Sequence, residues 1–405
     1  MNPARTFSLL LSCWAAGGAA LASGERPNLM AIAHGSVPLR VEADAAARVG
    51  IEQALRAIDG AAAVYSLTSK VASSARVALI YALPAATAFD RFAVPNVIET
   101  PSPRQTFVRD VKVLGSSRSA DDGFVLLASG TLQAQRSRGQ AVELTVHRRD
   151  EVRWIRLELS GALDPAQSDG FLEFSEIVGE GRQAEVPVDT GFGGGWTGRG
   201  LALSLRQDGA VVDGCYDRSG RLQGTVSGAV LRASGSTADS GVRSAFIAVR
   251  EGAGPATRLH VLRSTNGAPF HLFSGAAAPS PAACAVPPAA TLGCGSVVHG
   301  IQFDLDSAVL RKDSAPVLDA LRKGLAADAS RRIVIEGHTS GEGGTAYNQR
   351  LSEQRAAAVV EALVRLGLAR SRLSAGGLGE TRPIAPNDSE SGRVLNRRVE
   401  IHCSA

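Results

Sequence analysis

Arg332-Ile-Val-Ile-Glu336-Gly-His338-Thr339-Ser340-Gly-Glu342-Gly-Gly-Thr-Ala-Tyr-Asn348-Gln-Arg-Leu351-Ser352-Glu-Gln-Arg355-Ala356 is the stretch on which the fold turns. It opens with a short apolar strand, passes through a glycine-rich loop, and continues into a helix whose Leu351, Val359, Leu363 and Leu366 share one stripe. Gly367 ends that helix. Moving outward, Val297–Phe303 reads as a strand, and Leu318, Leu321 and Leu325 recur at spacings of three and four, as on a helix with one buried face. Leu373–Gly377 starts a further strand, a Gly/Pro/Asn-rich loop runs to Asn387, and Arg398–His402 forms the last strand. Residues 296–405 are thus expected to form an α+β sandwich, two helices over a mixed sheet.

Arg355 stands out within this frame. It lies four residues after Leu351 and four before Val359, on the stripe that the helix buries. Burying an unpaired guanidinium is costly, so a partner is required. Two readings stay open: an internal salt bridge or snorkelling side chain, or a fork that donates two parallel hydrogen bonds to a ligand carboxylate.

The residues Gly337-His338-Thr339, Asn348, Leu351-Ser352, Arg355-Ala356, Gly377, Gly379, Asn387 and Asn396-Arg397-Arg398-Val399-Glu400 resemble the OmpA-like carboxy-terminal domain, over about a quarter of the chain. The resemblance implies noncovalent binding of peptidoglycan in a two-membrane bacterium, with the diaminopimelate of the stem peptide as the group recognised. It makes Arg355 the carboxylate clasp. An Asp normally follows His-Thr and takes the ligand ammonium group; here that position is Ser340, which cannot neutralise a charge, and Glu342 is the replacement two residues on. Asn348 is expected to cap the helix or tie down the loop, and Asn396 and Arg398 to shape the pocket wall. The implied binding set is Thr339, Ser340, Glu342, Asn348, Leu351, Arg355, Asn396 and Arg398.

Upstream, residues 25–182 carry short β-rich runs between polar turns, the clearest being Val77–Tyr81, Phe107–Val111, Gly123–Leu127, Ala141–Val146 and Trp154–Leu159. Ala54–Ile58 fits one helical turn. A β-sandwich is expected. Asn28-Leu29, Ala57-Ile-Asp-Gly60, Trp154-Ile-Arg-Leu157 and Phe171–Ile177 are similar to a discoidin-type, galactose-binding-like domain, which implies end loops that bind glycans; a purely structural or protein-contact sandwich is the competing reading. Residues 190–275 form a second all-β block, an antiparallel β barrel-like unit. Gly195-Trp196-Thr-Gly198, Leu201–Leu205 and the short meander after Asp208-Gly209 are similar to avidin- or lipocalin-type barrels, with Trp196 as a core plug. Residues 276–295 are a Pro/Ala-rich linker.

Residues 1–22 carry Arg5, an apolar run and small residues at Ala20 and Ala22, the pattern of a cleaved export signal; lipidation at Cys13 is the alternative. Later stretches are too short or too polar for a membrane-spanning helix. The four remaining cysteines permit two disulfides. A Cys294–Cys403 bridge would clamp the ends of the terminal domain and leave Cys215 for Cys284. Their spacing is no zinc pattern, and no metal or cofactor is expected.

A formal charge of +4, without a basic stripe interleaved with aromatics, gives nucleic-acid binding no support. The seven histidines are scattered and no nucleophile motif occurs, so no catalytic residue is named. The expected protein is a non-enzymatic periplasmic envelope component that links wall to outer membrane, with surface glycan or other envelope proteins as further partners. A wall-displayed glycan-binding adhesin and a wall-targeted glycan hydrolase are the alternatives.

Overall fold

The computed structural model describes residues 26–43, 49–61, 66–69, 76–95, 105–133, 140–163, 171–217, 219–237, 240–252, 254–279, 291–304, 306–327 and 331–404. The expected export signal, Cys13 and Cys284 lie outside these residues.

Nine strands form the amino-terminal block: β1 (Val37–Ala43), β2 (Ser66–Ser69), β3 (Arg76–Pro95), β4 (Gln105–Ser116), β5 (Val125–Thr131), β6 (Ala141–Val146), β7 (Val152–Ala162), β8 (Phe171–Phe174) and β9 (Val178–Gln183). They hydrogen-bond in the order β1-β3-β6-β5-β4-β8-β2, with β7 bridging β3 and β4 and β9 pairing β3. The 20-residue β3 is the spine and pairs with four other strands. Its register shifts between Ala82 and Thr87, around Pro84, which has no N–H to give to a ladder. A short helix, α1 (Ile51–Arg56), closes one end of the core through Ala54 and Leu55.

The second block is a closed meander of eight antiparallel strands: β10 (Gly194–Gly198), β11 (Leu201–Asp208), β12 (Val211–Tyr216), β13 (Gly220–Ser227), β14 (Val230–Thr237), β15 (Arg243–Glu251), β16 (Arg258–Thr265) and β17 (His271–Ala278). Closure leaves no open sheet edge. Side chains fill the interior, including Trp196, Leu203, Tyr216, Phe246 and Val261. Trp196 is 3% exposed and donates its Nε1–H to the Phe192 carbonyl at 2.8 Å, so it is a satisfied core residue. Alternation along β15 sends Phe246 and Ala248 inward, while Ala245, Ile247 and Val249 join the amino-terminal core. The barrel is therefore packed against its neighbour rather than tethered beside it. Its last strand continues to Ala278, into the stretch expected to be linker.

The third block has four strands, β18 (Val297–Val298), β19 (Arg332–Gly337), β20 (Leu373–Gly377) and β21 (Val399–Ser404), ordered β18-β21-β19-β20, with only β19 and β20 parallel. The helices α2 (Ala315–Ala326) and α3 (Thr345–Arg365) cover one face. Val317, Leu318, Leu321 and Leu325 of α2 meet Val359, Val360 and Leu363 of α3 over Ile333, Ile335 and Ile401. The strand expected over Val297–Phe303 is only two residues long. At Gly300 an added Cβ would lie 2.8 Å from Val317 and 2.9 Å from Thr225, so the chain there packs against helix and barrel instead of pairing. Leu366, expected on the buried stripe of α3, is 42% exposed because it follows the last helical residue. A third helix, α4 (Glu390–Asn396), occupies what reads as the end of a loop. Cys294 and Cys403 are joined by a disulfide that ties the entry of this block to its final strand.

Among the described residues no helix is long and apolar enough to cross a membrane.

Candidate functional site

A cleft of about 1510 Å³ opens where the three blocks meet. Its terminal-domain wall includes Thr339, Ser340, Glu342, Asn348, Leu351, Arg355 and Arg398, seven of the eight residues singled out above; Asn396 stands behind it.

The loop after β19 is held open by named bonds. Thr339 N–H donates to the Gly379 carbonyl at 2.9 Å, fixing the loop to the segment after β20. The Asn348 side chain, 2% exposed, donates to the Glu342 carbonyl at 2.8 Å. It ties down the loop rather than capping α3, whose cap position is Gly344. Ser352 Oγ accepts from the Gly379 N–H at 2.9 Å and donates to the Gln349 carbonyl at 2.8 Å. The Thr339 hydroxyl is buried and unpartnered.

Ser340 Oγ donates to Glu342 Oε2 at 3.0 Å. The same carboxylate faces Arg393 Nε at 3.1 Å and Arg397 Nη1 at 3.4 Å. The acid two residues beyond Ser340 thus sits against the serine hydroxyl, partly neutralised by two cations from α4 and its end.

Arg355 Nε donates to the Ser307 carbonyl at 2.9 Å, and its guanidinium carbon lies 5.0 Å from the centre of the Phe303 ring. No carboxylate of the described residues lies within ion-pair distance of it. Burial, assisted by the nearby Arg397 charge, lowers its pKa to about 10. It remains a cation at neutral pH, half-buried and facing the cleft. The internal salt bridge left open on sequence grounds is not formed.

Asn396 and Arg398 build the wall from behind. Asn396 is fully buried; Oδ1 accepts from Ile384 N–H at 2.9 Å and Ala385 N–H at 3.1 Å, and Nδ2 donates to the Ala385 carbonyl at 2.9 Å and Asn387 Oδ1 at 2.8 Å. Arg398 Nε donates to Glu400 Oε1 at 2.8 Å, and Nη2 donates to the Arg382 carbonyl at 3.0 Å.

The sequence reading missed α4 and the opposite walls. Helix α4 is too short to show periodicity, but Ser389 is a visible cap signal, its Oγ accepting from the Gly392 N–H at 3.2 Å. Gly392 is required by close approach, since a Cβ there would stand 1.7 Å from the Pro386 carbonyl oxygen. Through α4 the terminal domain docks onto the amino-terminal block. Glu390 N–H donates to the Gly60 carbonyl at 2.9 Å, Ser391 Oγ donates to the Asp59 carbonyl at 2.6 Å, and His34 Nε2 lies 3.5 Å from Glu390 Oε1. Gly60 has φ +82°, and a Cβ on it would meet Glu390 Cβ at 2.9 Å. The barrel adds Arg232, 5% exposed, which donates Nη2–H to the Ala33 carbonyl at 2.7 Å.

Two carboxyls at this junction are unusual. Burial, followed by the charges of Asp59 and Glu390, raises Glu176 to about 8; burial raises Asp59 to about 6. Burial also works against Glu390, yet the charges of Arg397, His34 and Arg393 outweigh it and hold Glu390 below its ordinary value.

Residues 302–397 match the model of the OmpA family. The chain is 41% identical over 105 residues to an outer membrane porin F of Pseudomonas fluorescens, covering 26% of this chain and 32% of that protein. It is 38% identical over 99 residues to a peptidoglycan-associated lipoprotein of Pseudomonas putida, covering 24% of this chain and 59% of that one. Among solved structures, the peptidoglycan-associated lipoprotein of Burkholderia pseudomallei is 31% identical, with 26% of this chain and 88% of that chain covered and a TM-score of 0.24. The chain thus spans about a third of the porin relative and under two thirds of the lipoprotein. The carboxy-terminal segment 302–397 is an OmpA-family domain.

Proposed function

We propose that this chain is a non-enzymatic cell-envelope protein that holds peptidoglycan noncovalently in the cleft, with the diaminopimelate of the stem peptide as the group bound. The observation that carries this is Arg355: a half-buried cation at the cleft wall, fixed through Nε and stacked on Phe303, with no acid of the described residues within ion-pair distance. A ligand carboxylate can take the hydrogen bonds that remain. Glu342, set against Ser340, takes the ligand ammonium in place of the family's Asp. The matched OmpA family and the peptidoglycan-associated lipoproteins among the relatives support a wall ligand. Outer-membrane association follows from the same relatives, and the two β blocks are assigned to surface glycan or other envelope proteins.

A wall-targeted hydrolase would need a carboxylate pair, for which Asp59 and Glu176, both with raised pKa values, are the candidates nearest the cleft. Glu176 borders the cleft, but it accepts from Asn28 Nδ2 at 3.1 Å; Asp59 accepts from Ala61 N–H at 2.8 Å and lies off the cleft. Their surroundings favour a docking role over catalysis.

Competition tests the reading. Protein bound to purified sacculi is expected to be released by free diaminopimelate and not by lysine, which lacks the second amino-acid end. Equal release by both would contradict it, and soluble muropeptides appearing during the incubation would favour the hydrolase.

A further inference from the structure

On the face of the terminal sheet opposite α2 and α3, four side chains converge. Glu336 and Glu400 are direct partners across β19 and β21, and His402 follows Glu400 by two residues, on the same face. His338 follows Glu336 at the end of β19. His402 Nε2 lies 3.4 Å from Glu336 Oε1 and 3.5 Å from Glu400 Oε2. His338 Nε2 lies 3.5 Å from Glu336 Oε1 and 3.6 Å from Glu400 Oε1. The donor atoms of Glu336, Glu400 and His402 all fall within 4.8 Å of one another.

These separations are too long for hydrogen bonds, which run about 2.7–3.2 Å. Those of His402 match the edge of a tetrahedron with metal–ligand bonds of about 2.0–2.1 Å, an edge of roughly 3.3–3.4 Å. Glu336, Glu400 and His402 thus surround a point instead of bonding to each other. Two further observations point the same way. His338 is 3% exposed, and neither ring nitrogen has a hydrogen-bond partner; Glu336 Oε1 is also buried and unpartnered.

We propose that Glu336, Glu400 and His402 bind one zinc ion, with the buried, unpartnered His338 imidazole bordering the site. Two carboxylate oxygens and one imidazole nitrogen gathered within 4.8 Å, with a fourth position left for water, are a donor set suited to zinc. Arg398 supports the site from outside: it occupies Glu400 Oε1 through Nε at 2.8 Å and Nη2 at 2.5 Å, which leaves Oε2 for the ion. Glu336 is the penultimate residue of β19, three before Thr339, so the ion fixes the strand end from which the cleft loop departs. The site stands independently of the wall-binding reading.

The test is calorimetric titration of untagged, disulfide-intact protein with zinc chloride, with cobalt(II) as a spectroscopic substitute. One saturable site of micromolar affinity or tighter is expected, together with the intense visible bands of four-coordinate cobalt. His402→Ala and Glu336→Gln are each expected to weaken binding at least tenfold. His402 is half-exposed, so its removal leaves the fold intact, which circular dichroism checks. No saturable heat in the parent protein, or an unchanged affinity in folded His402→Ala, would overturn the site.

Discussion

The hydroxyl of Ser340 and the carboxylate of Glu342 are joined by a 3.0 Å hydrogen bond at the lip of the cleft, and Arg393 and Arg397 face the same carboxylate. The serine thus positions an acid it cannot itself supply. Glu342→Gln keeps shape and hydrogen bonding but deletes the charge. It is expected to weaken binding of a diaminopimelate-containing stem peptide by about 1 kcal/mol, roughly fivefold, a modest figure because the acid is partly exposed. Ser340→Ala should cost less, and Ser340→Asp should tighten binding. Calorimetric titration of the three variants gives the order.

The junction between the blocks responds to pH in two directions. Glu176 and Asp59 have raised pKa values, to about 8 and about 6, so the folded state holds protons that the unfolded state releases near its ordinary carboxyl range. Their contribution is fully present below that range and is lost as pH rises through 6 and 8. Glu390 is depressed, so its contribution is present above the ordinary range and is lost as pH falls. Thermal stability should therefore decline from mildly acidic conditions to pH 8. Glu176→Gln, which keeps an acceptor for Asn28, should flatten that decline and raise the melting temperature at pH 8 by a few degrees. Melting curves at pH 5 and pH 8 check it.

The Cys294–Cys403 bridge spans 109 positions in sequence and joins the start of the terminal block to β21. Closing so long a loop restricts the unfolded chain, and its loss should lower stability by about 3–5 kcal/mol. Urea unfolding of the Cys294→Ala/Cys403→Ala double variant should show the midpoint shift.

The parts of the terminal block that could be read in the sequence are those where periodicity is long. The leucines of α2 and the stripe Leu351–Leu363 of α3 span three or more turns, and β19 is a clean apolar run. The strand read over Val297–Phe303 shortens to β18 because Gly300 packs the chain against α2 and the barrel after two paired residues, and α4 stayed hidden because seven residues hold no repeating pattern. In the amino-terminal block, only Val77–Tyr81 of the 20-residue β3 stood out. Beyond it, Pro84 and alanines at 82, 85, 86 and 88 blur the alternation. In the barrel, β14 ends in Ser234-Gly-Ser-Thr237, small half-buried or exposed residues with no apolar alternation to mark a strand. The cleft wall from Thr339 to Arg355 was legible through motif residues close together in sequence. The opposite walls were not, because Arg232 and Glu176 reach the cleft only through packing between blocks.

Arg355 remains the most direct test of the whole proposal. Its guanidinium is held by Ser307 and Phe303 yet has no acid partner among the described residues, so Arg355→Ala removes the carboxylate contact and leaves the loop bonds in place. The measurement is cosedimentation of the full chain with purified sacculi, comparing parent and variant at matched folding. The expected result is a loss of about 2–3 kcal/mol, roughly 30- to 160-fold in affinity, with Arg355→Lys intermediate. A folded Arg355→Ala protein that pellets as well as the parent would contradict the central claim.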